Sequence, residues 1–208
     1  MARHNKFLIF IIGMALLIGL MSSPDNPYQT KTPWNIQPLI DGRVYVFGIT
    51  PGKTTIQEAN QILGHFAETR LYNTEPPQLL ATHERLILGD DKSARIDLLY
   101  FIDDVELAAM QQTSPVFSPC QYIKPTLEQE IELLNTPVSK LIYTPVTDYS
   151  AKAVKRQLGD ADTIEELNEK QQIMRYKKFN LTVYINSDKP DVFVYDDVAQ
   201  PPVPGNTD

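Results

Sequence analysis

Residues 48–64 read Gly48-Ile49-Thr50-Pro51-Gly52-Lys53-Thr54-Thr55-Ile56-Gln57-Glu58-Ala59-Asn60-Gln61-Ile62-Leu63-Gly64, and two incompatible structures compete for them. Gly52-Lys53-Thr54 match the end of a Walker A phosphate loop, after the apolar stretch Val44-Tyr45-Val46-Phe47 and before a helical pattern. Leu98-Leu99-Tyr100-Phe101-Ile102-Asp103 imitates the strand that ends in a magnesium-binding Asp. The spacing argues against this reading. The motif needs a Gly where Phe47 stands, and Gly48 is one residue too close to Gly52. A phosphate cradle works by aiming successive backbone N–H groups at the anion, and Pro51 removes one of those donors.

The second structure is a turn followed by a capped helix. Thr55 is suited to the N-cap, with Glu58 three residues on as in a capping box. Ile56, Ala59, Ile62 and Leu63 then share a face until Gly64 stops the helix. The pattern recurs 95 residues downstream, where Ser150 replaces Thr55, Ala151, Val154 and Leu158 replace Ile56, Ala59 and Leu63, and Gly159 replaces Gly64. The Gly-Lys-Thr does not recur, because Thr147-Asp148-Tyr149 occupy its place. What the two copies share is therefore a structural requirement and not a phosphate site.

Outward toward the N-terminus, Arg3 and Lys6 precede an apolar run of 15 residues, Phe7 to Met21. At about 1.5 Å per helical residue the run reaches roughly 22 Å, against roughly 30 Å for the hydrocarbon core of a bilayer. Its length suits an export signal, yet no small-x-small cleavage site closes it and no Cys follows for lipid attachment. Residues 1–21 are therefore expected to be a signal anchor, or alternatively a cleaved signal peptide. The expected location is the inner membrane, single-pass through residues 7–21 with the bulk of the chain periplasmic, or the periplasm after cleavage. The chain has 19 Lys+Arg against 26 Asp+Glu, so without Arg3 and Lys6 the balance is 17 against 26, or −9. That charge opposes nucleic acid as a partner. The single cysteine, Cys120, permits no intramolecular disulfide.

The rest divides by punctuation. Residues 22–42, with Pro24, Pro27, Pro33 and Pro38, read as a Pro-rich tether whose Trp34 packs back on the domain. Residues 43–112 read as a first α/β unit with strands near 66–74, 79–88 and 93–102, a hairpin turn at Gly89-Asp90-Asp91-Lys92, and a further strand at 105–111. Residues 113–126 form a linker. Residues 127–196 read as the second unit, with a helix at 127–134 whose Leu127, Ile131 and Leu134 face inward, and strands at 138–143, 163–167, 171–176, 179–186 and 192–195. Residues 197–208 read as a disordered tail. The expected fold class is α+β, two tandem repeats of a short helix plus an antiparallel β-meander, after an N-terminal membrane helix.

The stretch from Gly48 through Thr55, with its helix and terminal Leu63-Gly64, resembles the opening of the SmpA/OmlA (BamE-like) family. The tandem arrangement also resembles beta-lactamase-inhibitory protein. The likeness covers most of residues 43–196 in organisation and about seventeen residues per copy in motif. It implies a bacterial envelope location, binding to other proteins and no catalysis. The lipidated Cys of the first family's outer-membrane lipoproteins has no counterpart here.

Candidate chemistry is sparse. His65 and His83 do not have the spacing of a helical metal pair, and no Cys/His cluster supplies the ligands zinc needs. Asp90, Asp91, Asp97, Asp103 and Asp104 lack the alternate spacing and Gly of a calcium loop. No cofactor is implied. The expected function is a non-enzymatic envelope protein that binds another envelope protein or a peptide, with Tyr100, Tyr176, Tyr184 and Tyr195 as contact candidates on exposed strand faces. The alternative is a small-ligand or phosphate binder, or an enzyme, using Lys53 and Asp103.

Overall fold

A computed structural model describes residues 31–197 except 73, 75, 90 and 114–121. A small hairpin of β1 (Gln37–Pro38) and β2 (Val44–Tyr45) leads into helix α1 (Ile56–Leu63), then β3 (Glu68–Tyr72), β4 (Gln78–Leu88), β5 (Asp91–Tyr100), α2 (Asp104–Thr113), β6 (Tyr122–Ile123) and α3 (Leu127–Leu133). The chain continues through β7 (Val138–Thr144), α4 (Ala151–Leu158), β8 (Thr163–Asn168), β9 (Gln171–Tyr176), β10 (Leu181–Asn186) and β11 (Val192–Asp196).

The capping logic of α1 holds atom by atom. Thr55 Oγ1 accepts from the Glu58 N–H, Glu58 Oε2 accepts from the Thr55 N–H, and Gly64 closes the helix in the left-handed region at φ 84°. Ser150 caps α4 in the same manner, accepting from the Ala153 N–H.

The expected pair of tandem helix-plus-meander repeats does not form. β6-β3-β4-β5-β7-β11-β10-β9-β8 make one nine-stranded, wholly antiparallel sheet, and the helices are few and short. The cause lies in β7. Instead of opening a separate unit, it pairs with β5 from Arg95↔Thr144 to Tyr100↔Val138, and β11 pairs along its other edge. No meander closes on itself, so both halves of the chain complete a single sheet. The expected membrane helix, residues 1–21, lies outside the described residues, and no helix among those described is long and apolar enough to cross a membrane.

Because side chains alternate along each strand, register fixes two faces. One face carries Leu71, Leu79, Ala81, Ile96, Leu98, Leu141, Tyr143, Phe193, Tyr195, Val183, Leu181, Met174 and Tyr176, all buried. Ile56, Ala59 and Leu63 of α1 and Val154 of α4 belong to the same core, together with Val44, Val46, Phe47 and Ile49. The docked N-terminal segment adds Trp34, edge-on to Tyr149 at 4.8 Å and to Phe193 at 5.6 Å, while Tyr195 Oη donates to the Pro33 carbonyl at 2.8 Å. Pro33, Trp34 and Ile36 of the expected tether therefore pack on the core, while most of residues 35–42 stay exposed.

Two local expectations also change. Residues 105–111 are helical, not a strand, because Asp103 Oδ1 accepts from the Glu106 N–H and Leu107 and Met110, three apart, are both buried. In α3 the buried residue is Leu133, with Leu134 half-buried, whereas Leu127 and Ile131 are exposed. This helix is held by its C-terminal end: the Leu134 and Thr136 carbonyls accept from the Gln57 and Ile56 N–H groups of α1.

Candidate functional site

Pro51-Gly52-Lys53-Thr54 form a tight turn with no free cradle. Thr50 N–H donates to Thr54 Oγ1 at 2.9 Å, Gly52 N–H to the Val138 carbonyl at 2.6 Å, and the Lys53 and Thr54 N–H groups to the Thr50 carbonyl at 3.1 and 2.9 Å. With Thr55 N–H taken by Glu58 and the next two amides by Thr136 and Leu134, and with Pro51 lacking an N–H, the backbone here offers no cradle of free N–H groups to a phosphate. Lys53 lines an open cleft of about 760 Å³ with Tyr45, Thr50 and Glu58. Asp103 does not line it; its carboxylate caps α2. The two residues of the ligand-binding alternative are thus assigned to separate structural tasks.

Of the four candidate tyrosines, three are core. Tyr100, Tyr176 and Tyr195 are 4%, 2% and 0% exposed, and only Tyr184, at 36%, reaches solvent. Tyr100 Oη is within 2.8 Å of Thr69 Oγ1, and burial pushes its phenol up to about 12. Burial likewise holds the Tyr195 phenol far above its ordinary range. Tyr100, Tyr176 and Tyr195 are thus packing residues and not the exposed contacts expected from the sequence. Their strand positions were read rightly, but their parity belongs to the face that meets the helices.

Among the described residues, the opposite face of the sheet is the more exposed one. It carries Leu80, Leu99, Ile142 and Val194 down the middle, each half-buried between neighbouring strands, with Tyr184 beyond them on β10. Among and beside these apolar residues stand charged side chains in same-face pairs, with Lys140 opposite Leu99 and Asp97 opposite Ile142. Arg70 and Lys124 pair with Glu68, Arg95 with Asp97 at 2.8 Å, Lys140 with Asp196 at 2.8 Å, and Arg175 with Glu165 at 2.9 Å. Asp97 is buried and also accepts from Thr82 Oγ1 at 2.6 Å, so the centre of the face is fixed by a hydrogen-bonded carboxylate. At the β3–β6 end the Arg70 guanidinium lies 4.8 Å from the Tyr122 ring centroid, and Tyr72 packs 5.8 Å from that ring. The Arg70 hydrogen bond, then that of Lys124, holds the Glu68 carboxyl below its ordinary range. Five cations meet four anions in these pairs, although the chain as a whole carries −7.

Of the four candidate tyrosines only Tyr184 points to this surface. The available signal was the odd or even position of Arg70, Arg95, Lys140 and Arg175 within their strands, opposite in parity to the large apolar residues. His65 and His83 do meet, with ring centroids 5.0 Å apart, but no group of three or more His, Cys, Asp or Glu among the described residues is placed to hold a metal. Asp90 and Cys120 lie outside the described residues. Compared with family models, curated proteins and solved structures, the chain matches none.

Proposed function

We propose that this chain is a non-enzymatic protein of the bacterial cell envelope, exported by its N-terminal apolar run, that binds another envelope protein or a peptide on the open face of its sheet. The observation that carries this reading is the face itself. Half-buried Leu80, Leu99, Ile142 and Val194 supply apolar surface, and ion-paired Arg and Lys side chains stand among and beside them. Protein interfaces combine apolar surface with prominent arginine and aromatic side chains, and this face offers Arg70, Arg95, Arg175 and Tyr184. A nine-stranded sheet backed by its own core presents these groups with little conformational freedom left to lose on binding. The resemblance of residues 48–64 to the SmpA/OmlA family supports the same location and the absence of catalysis.

Affinity capture of the tagged full-length protein from gently solubilised envelopes tests the reading. A near-stoichiometric envelope partner is expected, lost in the Arg70→Glu and Leu99→Asp variants and retained in Lys53→Ala. Recovery of the protein alone, with or without cross-linking, overturns it.

A further inference from the structure

The two edges of the sheet differ. At one end β6 is two residues long, the usual way of denying an edge to other chains. At the other end β8, Thr163-Ile164-Glu165-Glu166-Leu167-Asn168, is six residues long, contains no proline and is exposed at every position. Its inner side pairs with β9, and its outer side makes no backbone hydrogen bond among the described residues. Ile164 and Leu167 are 54% and 52% exposed, the latter at a bulge between Glu166 and Asn168.

We infer that β8 is a docking edge that accepts an extended segment of a partner chain carrying a basic residue flanked by apolar ones. The inference rests on the proposed protein-binding role and names a route of engagement for it. Strand addition satisfies the row of unpaired N–H and C=O groups, so main-chain hydrogen bonds supply affinity whatever the sequence. Side chains then choose the partner. Glu165, ion-paired with Arg175 at 2.9 Å, projects on the open face, and Glu166, which has no ion pair among the described residues, projects on the core side, so a strand laid against β8 meets a carboxylate on either face. Like charges directly opposite across strands are unfavourable and opposite charges favourable. A two-fold pairing of β8 with a second copy, centred on Glu165 or Glu166, sets a glutamate against its own equivalent. In those registers the edge disfavours copies of this acidic chain, and in any register it favours a basic strand, whose apolar residues would cover Ile164 and Leu167.

The test uses the full-length protein in detergent and end-blocked peptides of alternating Lys and Val, of alternating Glu and Val, and of the Lys–Val sequence with a central Pro. Amide exchange is followed at residues 163–168 alongside titration. The outward amides are expected to exchange freely in the protein alone and to slow at least tenfold with the Lys–Val peptide. That peptide is expected to bind at least tenfold more tightly than the Glu–Val peptide, and the Glu165→Lys/Glu166→Lys variant to reverse the order. Protection already present without peptide, binding without protection, equal binding of the Pro-containing peptide, or no binding overturns the inference. Capture of a partner that Arg70→Glu abolishes and the double variant spares also overturns it, while leaving the proposed function standing.

Discussion

His83 is the residue whose chemistry fits its surroundings least. It is fully buried on β4, and neither ring nitrogen has a hydrogen-bond partner. Burial first, and then the His65 ring beside it, lowers its pKa from 6.5 to about 4. The folded state holds the neutral ring, while the unfolded chain takes up a proton below pH 6.5. Stability is therefore complete above that pH and falls as the pH drops through the window down to about 4. A gap of this size corresponds to about 3 kcal/mol. Denaturant unfolding from pH 7 to pH 4 is expected to show that loss in the native protein and to lack it in His83→Phe; equal slopes refute the assignment. The Gly-Lys-Thr turn makes a second residue-scale contrast. Thr54→Val leaves the Thr50 N–H buried without its acceptor and is expected to cost about 1–3 kcal/mol. Exposed Lys53→Ala is expected to stay within about 0.5 kcal/mol. A phosphate site would show the opposite emphasis, with ligand binding lost at Lys53.

At the scale of elements, strands β3 to β5 and β7 to β11 were legible because period-2 alternation and turn residues are local signals. So were the caps at Thr55, Thr126 and Ser150, each now seen accepting a backbone N–H three residues on. Alternation shows that a strand has two faces and not which of them is buried, and Tyr100, Tyr176 and Tyr195 were misjudged for that reason. The α3 stripe failed differently. Leu127 and Ile131 have the spacing of a buried face, but in a seven-residue helix moored at Leu134 and Thr136 the anchoring end decides what is covered. Leu133→Ala is accordingly expected to cost about 2–5 kcal/mol as a cavity-forming change. Ile131→Ala, at an exposed site, is expected to stay within about 0.5 kcal/mol. Thermal or denaturant unfolding of the two variants decides, and a larger loss at Ile131 would restore the stripe expected from sequence.

For the whole molecule the decisive contact is the one between β5 and β7, because it converts two sets of strands into one sheet. Ile96 pairs with Tyr143 and Leu98 with Leu141, all four completely or almost completely buried. Reciprocal backbone bonds tie the same regions together from outside the sheet: Gly52 N–H donates to Val138, Val138 N–H to Thr54, and Phe101 N–H to Pro137. The docked Trp34 segment reinforces this by packing on Phe193 of β11, from the far end of the chain. None of these contacts is local, which is why a sequence with two similar capped helices suggested two similar units. If the seam is as integral as its burial implies, neither half can retain a core once parted, since each would expose the apolar edge of β5 or β7 to water. The protein is expected to unfold in a single transition, with coincident curves from circular dichroism and Trp34 fluorescence. Leu141→Ala should lower the midpoint, at a cost of about 2–5 kcal/mol, without splitting the transition. Segments 31–113 and 122–197 produced separately should each lack cooperative unfolding and regain it only when mixed. Two resolved transitions, or a half that unfolds cooperatively alone, would mean that the β5–β7 seam joins two independent units rather than completing one.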